Sequence, residues 1–184
     1  MTSSSLPIAI VTGGNSGIGL ETVKLLAKDH LVYAIGRNPA TLQTLEGFAN
    51  VNPVALDITD FSSLSAFTSP LTRVDVLVHS AALSVPSTTL EATPELWQQH
   101  LSVNVIAPAE LTRLLLTALR RSSGKVVFIN SGSGTLALAG HVVYSSSKFA
   151  LTALAHALRT EESEHGVRVA TVAPGPTDTL LNQA

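Results

Sequence analysis

Six short, largely apolar runs recur along the chain: 6–11 (L-P-I-A-I-V), 31–35 (L-V-Y-A-I), 51–57 (V-N-P-V-A-L-D), 74–79 (V-D-V-L-V-H), 125–130 (K-V-V-F-I-N) and 167–173 (V-R-V-A-T-V-A). Runs with so little polar alternation are what parallel strands covered on both faces produce. Between them the apolar positions change to helical spacing. Leu20, Val23 and Ala27 mark a first helix, 40–48 a short second, and Thr59-Asp60 the start of a third. A long helical stretch, 93–121, opens with T-P-E-L, a capping residue followed by Pro and an early acid. Its stripe is Leu111, Leu114, Leu115, Ala118 and Leu119. Pro108 lies inside this stretch and either kinks the helix or splits it just after Asn104. The last helix runs from Tyr144 to about His165 with Ala150, Leu151, Leu154, Ala157 and Leu158 inward, and Gly166 ends it. Strands and helices alternate throughout, which predicts an α/β fold: a doubly wound parallel sheet with helices on both faces. Ligands of such sheets bind outside the C-terminal ends of the strands.

Composition narrows the class. At 184 residues the chain suits one well-cored domain spanning 1–184, and no repeat or linker interrupts it. A net charge of −2 gives no electrostatic reason to expect nucleic acid or an anionic membrane surface as partner. No apolar run approaches the ~20 residues that span a bilayer, and M-T-S-S-S-L-P lacks a basic n-region. Without cysteine there are no disulfides and no thiolate chemistry. The expectation is a soluble cytoplasmic domain.

Candidate chemistry sits at the predicted strand ends. The first strand leads into T-G-G-N-S-G-I-G (12–19) and then a helix. Glycines let backbone approach a pyrophosphate closely, and the helix N-terminus supplies N–H groups. The spacing of Gly13, Gly17 and Gly19 is G-x-x-x-G-x-G, with Asn15, Ser16 and Ile18 in the loop. After the second strand, the position that meets an adenosine ribose holds Arg37 and no acid. A planar cation suits a 2′-phosphate, so NADP(H) is expected over NAD(H). Asp57, followed by Ile58, ends the third strand; it either accepts from an adenine amino group or caps the next helix. Small residues around Ala81 follow the fourth strand. Asn104 is a polar residue in a core-facing turn, where a helix-kink hydrogen bond is the competing role.

The stretch 130–148 holds Ser131, Tyr144 and Lys148. Helical i,i+4 spacing stacks Tyr144 and Lys148 on one face. An ammonium there would favour the phenolate and make Tyr144 a usable acid or base. The six histidines have no metal-ligand spacing, so no metal site is expected. No G-x-S-x-G elbow surrounds Ser131, which argues against a hydrolase. His141 reads either as an exposed loop histidine or as a substrate contact.

Together these residues closely resemble the short-chain dehydrogenase/reductase family, over essentially the whole chain. T-G-G-N-S-G-I-G resembles its cofactor loop, and Asp57 its adenine-contacting acid. Asn104, Ser131, Tyr144 and Lys148 resemble its catalytic tetrad, and Pro174, Gly175, Thr177 and Thr179 its nicotinamide-contacting segment. The resemblance implies a Rossmann-type fold and hydride transfer between NADP(H) and a carbonyl or alcohol. Tyr144 would act as acid/base, Lys148 would lower its pKa and bind the ribose, and Ser131 would hold the substrate oxygen. Asn104 would hold a water or a backbone carbonyl that relays protons to Lys148. It also implies pairing of long helices into a homodimer or homotetramer.

Two departures stand out. His79-Ser80-Ala81-Ala82 replaces the family's usual N-N-A-G. Members ordinarily continue for about sixty residues more, so the C-terminal part of the family fold is expected to be missing or shortened. The rival function is a catalytically silent NADP(H)-binding sensor or scaffold.

Overall fold

Each of the six apolar runs is a strand. The structure, a computed structural model, describes residues 6–175 and 177. The strands are β1 (Ile8–Thr12), β2 (Leu31–Gly36), β3 (Val51–Ala55), β4 (Val76–His79), β5 (Lys125–Ile129) and β6 (Arg168–Val172). They form one sheet in the order β3-β2-β1-β4-β5-β6, and every neighbouring pair is parallel. The order reverses between β1 and β4, so the loops leaving these two strands diverge and open a crevice at their C-terminal ends. Pro53 is tolerated because β3 is an edge strand, where a missing N–H breaks no interior ladder.

Side chains alternate along the strands between two apolar layers. Ala9, Val11, Val32, Ala34, Val76 and Val78 pack with Val23 of α1 (Gly17–Leu26) and Leu42 of α2 (Pro39–Gln43). On the other face Ile10, Ile35, Leu77, Val126 and Phe128 meet helices α3 (Phe61–Thr68), α5 (Ala107–Ser122) and α6 (Val142–Glu162). On the α1/α2 face the β5–β6 end is less covered: Val127 and Ile129 are half-buried and Val172 is 48% exposed.

The long helical stretch is composite. α4 (Pro94–Leu101) leads through a π-helical turn, Ser102–Ile106, into α5. Thr93 caps α4 by accepting from the Leu96 amide. Pro108 has no N–H to donate to the carbonyl four residues back, that of Asn104, so regular α geometry fails there. The chain widens instead, with the Ala107 amide bonding the Ser102 carbonyl. The composite is long and apolar enough by composition to cross a bilayer, but Leu111, Leu115 and Leu119 of α5 are spent on the protein core. α2 is shorter than expected, and α6 begins at Val142, ahead of Tyr144.

His79 ends β4 on the α5 face, 2% exposed, with its ring stacked on Phe128. The Thr112 hydroxyl donates to the Pro108 carbonyl at 2.8 Å, so it accepts from His79 Nε2 at 2.9 Å. That assigns the proton to Nε2 and leaves Nδ1 a buried acceptor without a partner among the described residues. Burial pushes the imidazole pKa down to about 3. The folded chain therefore refuses a proton that the unfolded chain takes up below about 6.5. Stability is complete above that value and is lost as pH falls. Chemical unfolding at pH 7.5 and pH 5 should show a loss of about 2 kcal/mol from this group, a slope that His79→Asn removes even if it lowers stability overall; equal slopes would contradict a buried neutral imidazole.

Candidate active site

The loop after β1 is held against the loop after β4. Gly13 (φ 65°) and Gly17 (φ 50°) take left-handed conformations. A Cβ on Gly13 would stand 2.9 Å from Ala81 Cα, and one on Gly19 would stand 2.2 Å from the Gly13 carbonyl oxygen. Thr12 pins the junction, its hydroxyl oxygen accepting from the Ser80 and Ala81 amides at 3.1 and 3.2 Å. α1 opens without a side-chain cap from Ser16, so the amides of its first turn are left for another acceptor. Asn15 donates to Thr41 at 2.7 Å and lies across Gly36, where a Cβ would meet its Oδ1 at 2.5 Å. This loop walls one end of a cavity of about 1190 Å³. Asn15, Ser16, Gly17 and Ile18 line it, while Gly19 packs beneath.

Arg37 and Asp57 line the same end, both exposed. Asp57 Oδ1 accepts from the Thr59 amide at 2.9 Å and the Thr59 hydroxyl at 2.7 Å. α3 is capped instead by Asp60, which accepts from the Ser62 and Ser63 amides. The capping role for Asp57 is thus ruled out, and its second oxygen is left for a ligand. Burial pushes its pKa up, but the Thr59 donors and nearby Arg37 outweigh that and hold it below the usual range. Ile58, Ala81, Pro174, Gly175 and Thr177 also line the cavity; Thr179 lies outside the described residues.

The far end is built by β5 and α6. Ser131 follows β5 and accepts the Ser133 amide at 3.1 Å. Tyr144 and Lys148 share one face of α6, with the Lys148 Nζ 5.7 Å from the Tyr144 ring centroid. Lys148 is 2% exposed and donates to the Ile129 carbonyl at 3.2 Å. Burial lowers its pKa to about 8. Tyr144 departs from expectation: burial raises its pKa, and only the Ser131 hydroxyl pulls it down. The ammonium stands over the ring face and donates to the Ile129 carbonyl.

Asn104 does not line the cavity. It sits behind it in the π turn, 1% exposed, as a three-way clamp. Its Oδ1 accepts the Leu83 amide at 2.8 Å; its Nδ2 donates to the Leu83 carbonyl and to Ser147 Oγ, both at 2.9 Å. The Ser147 hydroxyl in turn donates to the Tyr144 carbonyl at 2.7 Å. Sequence reasoning missed Asn130, whose Nδ2 donates to Thr152 at 2.8 Å and to the Lys148 carbonyl at 3.3 Å. Its signal was a polar residue closing an apolar strand. Ser84, Leu136, Leu138 and His141 line the outer part of the cavity. Ser87 bridges the two outer loops, donating to the Gly140 carbonyl and accepting from the Val142 amide.

The chain is similar to known proteins in sequence and fold. The family profile described as short chain dehydrogenase matches residues 7–184. L-xylulose reductase from Bos taurus is 32% identical over 180 residues, which cover 96% of this chain and 74% of that protein. The crystal structure of a short chain dehydrogenase from Burkholderia cenocepacia in complex with NADP superposes with a TM-score of 0.89 at 28% identity, covering 97% of this chain and 76% of that one. 4-Hydroxyisoleucine dehydrogenase complexed with NADH gives 0.86 at 25% identity, covering 95% and 77%.

A buried ammonium has a measurable cost. With a folded pKa of about 8 against an ordinary 10.5, the unfolded chain binds Lys148's proton more tightly between those values, so stability rises with pH there. From pH 8 to 10, unfolding free energy should gain about 2 kcal/mol from this residue. Lys148→Met should lose that rise; an unchanged slope would place the ammonium in water.

Proposed function

This chain belongs to the short-chain dehydrogenase/reductase family, and on that premise we propose that it is an NADP(H)-dependent oxidoreductase interconverting a carbonyl and an alcohol. The observation that carries the proposal is the cavity itself: a glycine loop with an uncapped helix N-terminus at one end, Ser131, Tyr144 and Lys148 at the other. The first end fits a dinucleotide. A side chain on Gly13 or Gly19 would collide with Ala81 or with Gly13, so the glycines let the loop fold tightly over α1, and the first turn of that helix suits a pyrophosphate. Asp57's second oxygen suits the adenine amino group. Ala81, Ile58, Pro174, Gly175 and Thr177 would hold the remainder, with Thr179, outside the described residues, expected beside them from the family resemblance. Solved structures of similar proteins are complexes with NADP and with NADH, and Arg37 after β2 tips this chain toward the 2′-phosphate.

When bound, the nicotinamide supplies a hydride to a carbonyl carbon or takes one from an alcohol carbon. In reduction the Ser131 hydroxyl and the Tyr144 phenol hold the carbonyl oxygen, and Tyr144 delivers the proton that turns it into a hydroxyl. One carbonyl, one NADPH and one proton give one alcohol and one NADP⁺. Lys148 returns a proton toward Tyr144; with a pKa of about 8 it can exchange one near neutrality. Asn104 acts through position. Its side chain is committed to Leu83 and Ser147, and its backbone carbonyl, to which Pro108 cannot donate, would hold a water leading to Lys148. Exposed Ile106 and Phe149 favour pairing of the composite helix and α6 with a second subunit.

Fluorescence titration should find NADPH bound at least about tenfold tighter than NADH, and Arg37→Asp should erase that preference. NADPH oxidation with a carbonyl panel should be lost in Tyr144→Phe while NADPH binding persists. Binding without turnover in the wild type would favour the silent sensor. Light scattering on the eluting protein should return at least a dimer; a monomer would overturn the pairing.

A further inference from the structure

Five titratable side chains line the cavity among the described residues: Arg37, Asp57, His141, Tyr144 and Lys148. Four have roles above; His141 has none. It occupies the N-cap position of α6 yet makes no side-chain capping bond. Ser, Thr, Asn or Asp would serve that position better by about 1 kcal/mol. A local rule broken without local gain is characteristic of a residue kept for function. Neither ring nitrogen has a hydrogen-bond partner among the described residues, whereas His79 is engaged through Nε2 and His100 through both nitrogens.

The backbone around His141 is firmly held. Its amide donates to the Leu138 carbonyl and its carbonyl accepts the Ser145 amide. On either side, Gly140 and Val142 are bonded to Ser87 of the facing loop at 2.7 and 3.2 Å. The imidazole meets the Tyr144 ring edge-on, with centroids 6.4 Å apart and planes at 68°. A rigidly placed, half-buried ring with free nitrogens beside the phenol is a second polar contact on the substrate side. Leu136, Leu138 and Val103 line the same cavity and give it apolar surface, beside the small polar Ser84 and Thr135.

We propose that His141 is a specificity-determining substrate contact that hydrogen-bonds an oxygen on the carbon next to the reacting carbonyl, and that the substrates are carbonyl compounds with a vicinal carbonyl or hydroxyl and an apolar remainder. The geometry leads there because a carbonyl oxygen held by Tyr144 leaves the adjoining carbon on the side of the imidazole, whose ring meets the phenol edge-on, while Leu136, Leu138 and Val103 give the rest of the substrate apolar surface. The inference rests on the oxidoreductase reading. Reduction forms the new C–H bond at the carbonyl carbon with NADPH as reductant, and the vicinal oxygen is held and left unchanged.

The test compares 1-phenylpropane-1,2-dione with propiophenone, which lacks the second oxygen, in the full chain with saturating NADPH. The wild type should prefer the dione in kcat/KM. His141→Leu should cut that preference about tenfold, chiefly through KM, and His141→Asn, which can both cap the helix and hydrogen-bond, should restore part of it. Matching melting temperatures would exclude a folding defect, and if the leucine variant fails to fold, His141→Ala, which also lacks a donor, carries the comparison. A dione preference that survives in every His141 variant, or a wild type with no such preference, would overturn the assignment while leaving the reductase reading intact. A wild type that binds NADPH but reduces neither compound would sink both.

Discussion

The arrangement depends on burying one ammonium at the end of β5. Lys148 has lost nearly all its water and keeps one carbonyl, that of Ile129, in exchange. Such a charge costs about 3 kcal/mol against its exposed state, and it persists because everything around it is held by other bonds. Asn130 grips the Lys148 carbonyl and Thr152, Thr152 lies within hydrogen-bonding distance of the Gly134 carbonyl, and Asn104 grips Ser147. Gly134 is needed at this contact, since a Cβ there would stand 2.8 Å from Asn130 Oδ1. α6 is therefore locked in register against β5, and Tyr144 is aimed by the same lock one turn earlier. The site is built at the expense of stability, as sites that hold reactive groups ready commonly are.

The sheet order supplies the other half. Because β1 and β4 are neighbours whose loops run opposite ways, the glycine loop and the β4 loop meet at one crevice, and Thr12 ties them. Asn104 joins this half to the other: it holds the Leu83 peptide beyond β4 and the Ser147 hydroxyl on α6 at once. The π turn is what lets a helix interior residue reach both.

Much of this was legible in sequence because parts of the chemistry are written locally. The glycine spacing of 13, 17 and 19, the strand–loop–helix context and the i,i+4 step from Tyr144 to Lys148 each involve residues close along the chain. Strand count and helix order followed from the same short-range periodicity. What escaped joins residues far apart: Thr12 with Ser80, Asn104 with Ser147, His79 with Thr112. Hydrogen bonds across such separations leave no local pattern. The direction of the Tyr144 pKa also escaped, since i,i+4 spacing places Lys148 near the ring but does not say that its ammonium bonds Ile129. Asp57 was open between two roles until the cap of α3 was seen to be Asp60.

The central claim is that the cavity brings a hydride and the Tyr144 proton to one carbonyl. Reduction of a carbonyl substrate with NADPH deuterated at both C4 positions, followed by mass spectrometry of the alcohol, tests it directly. The account predicts one deuterium on the carbinol carbon of the wild-type product and no product from Tyr144→Phe. Alcohol formed without deuterium, or labelled alcohol from the phenylalanine variant at the wild-type rate, would contradict it.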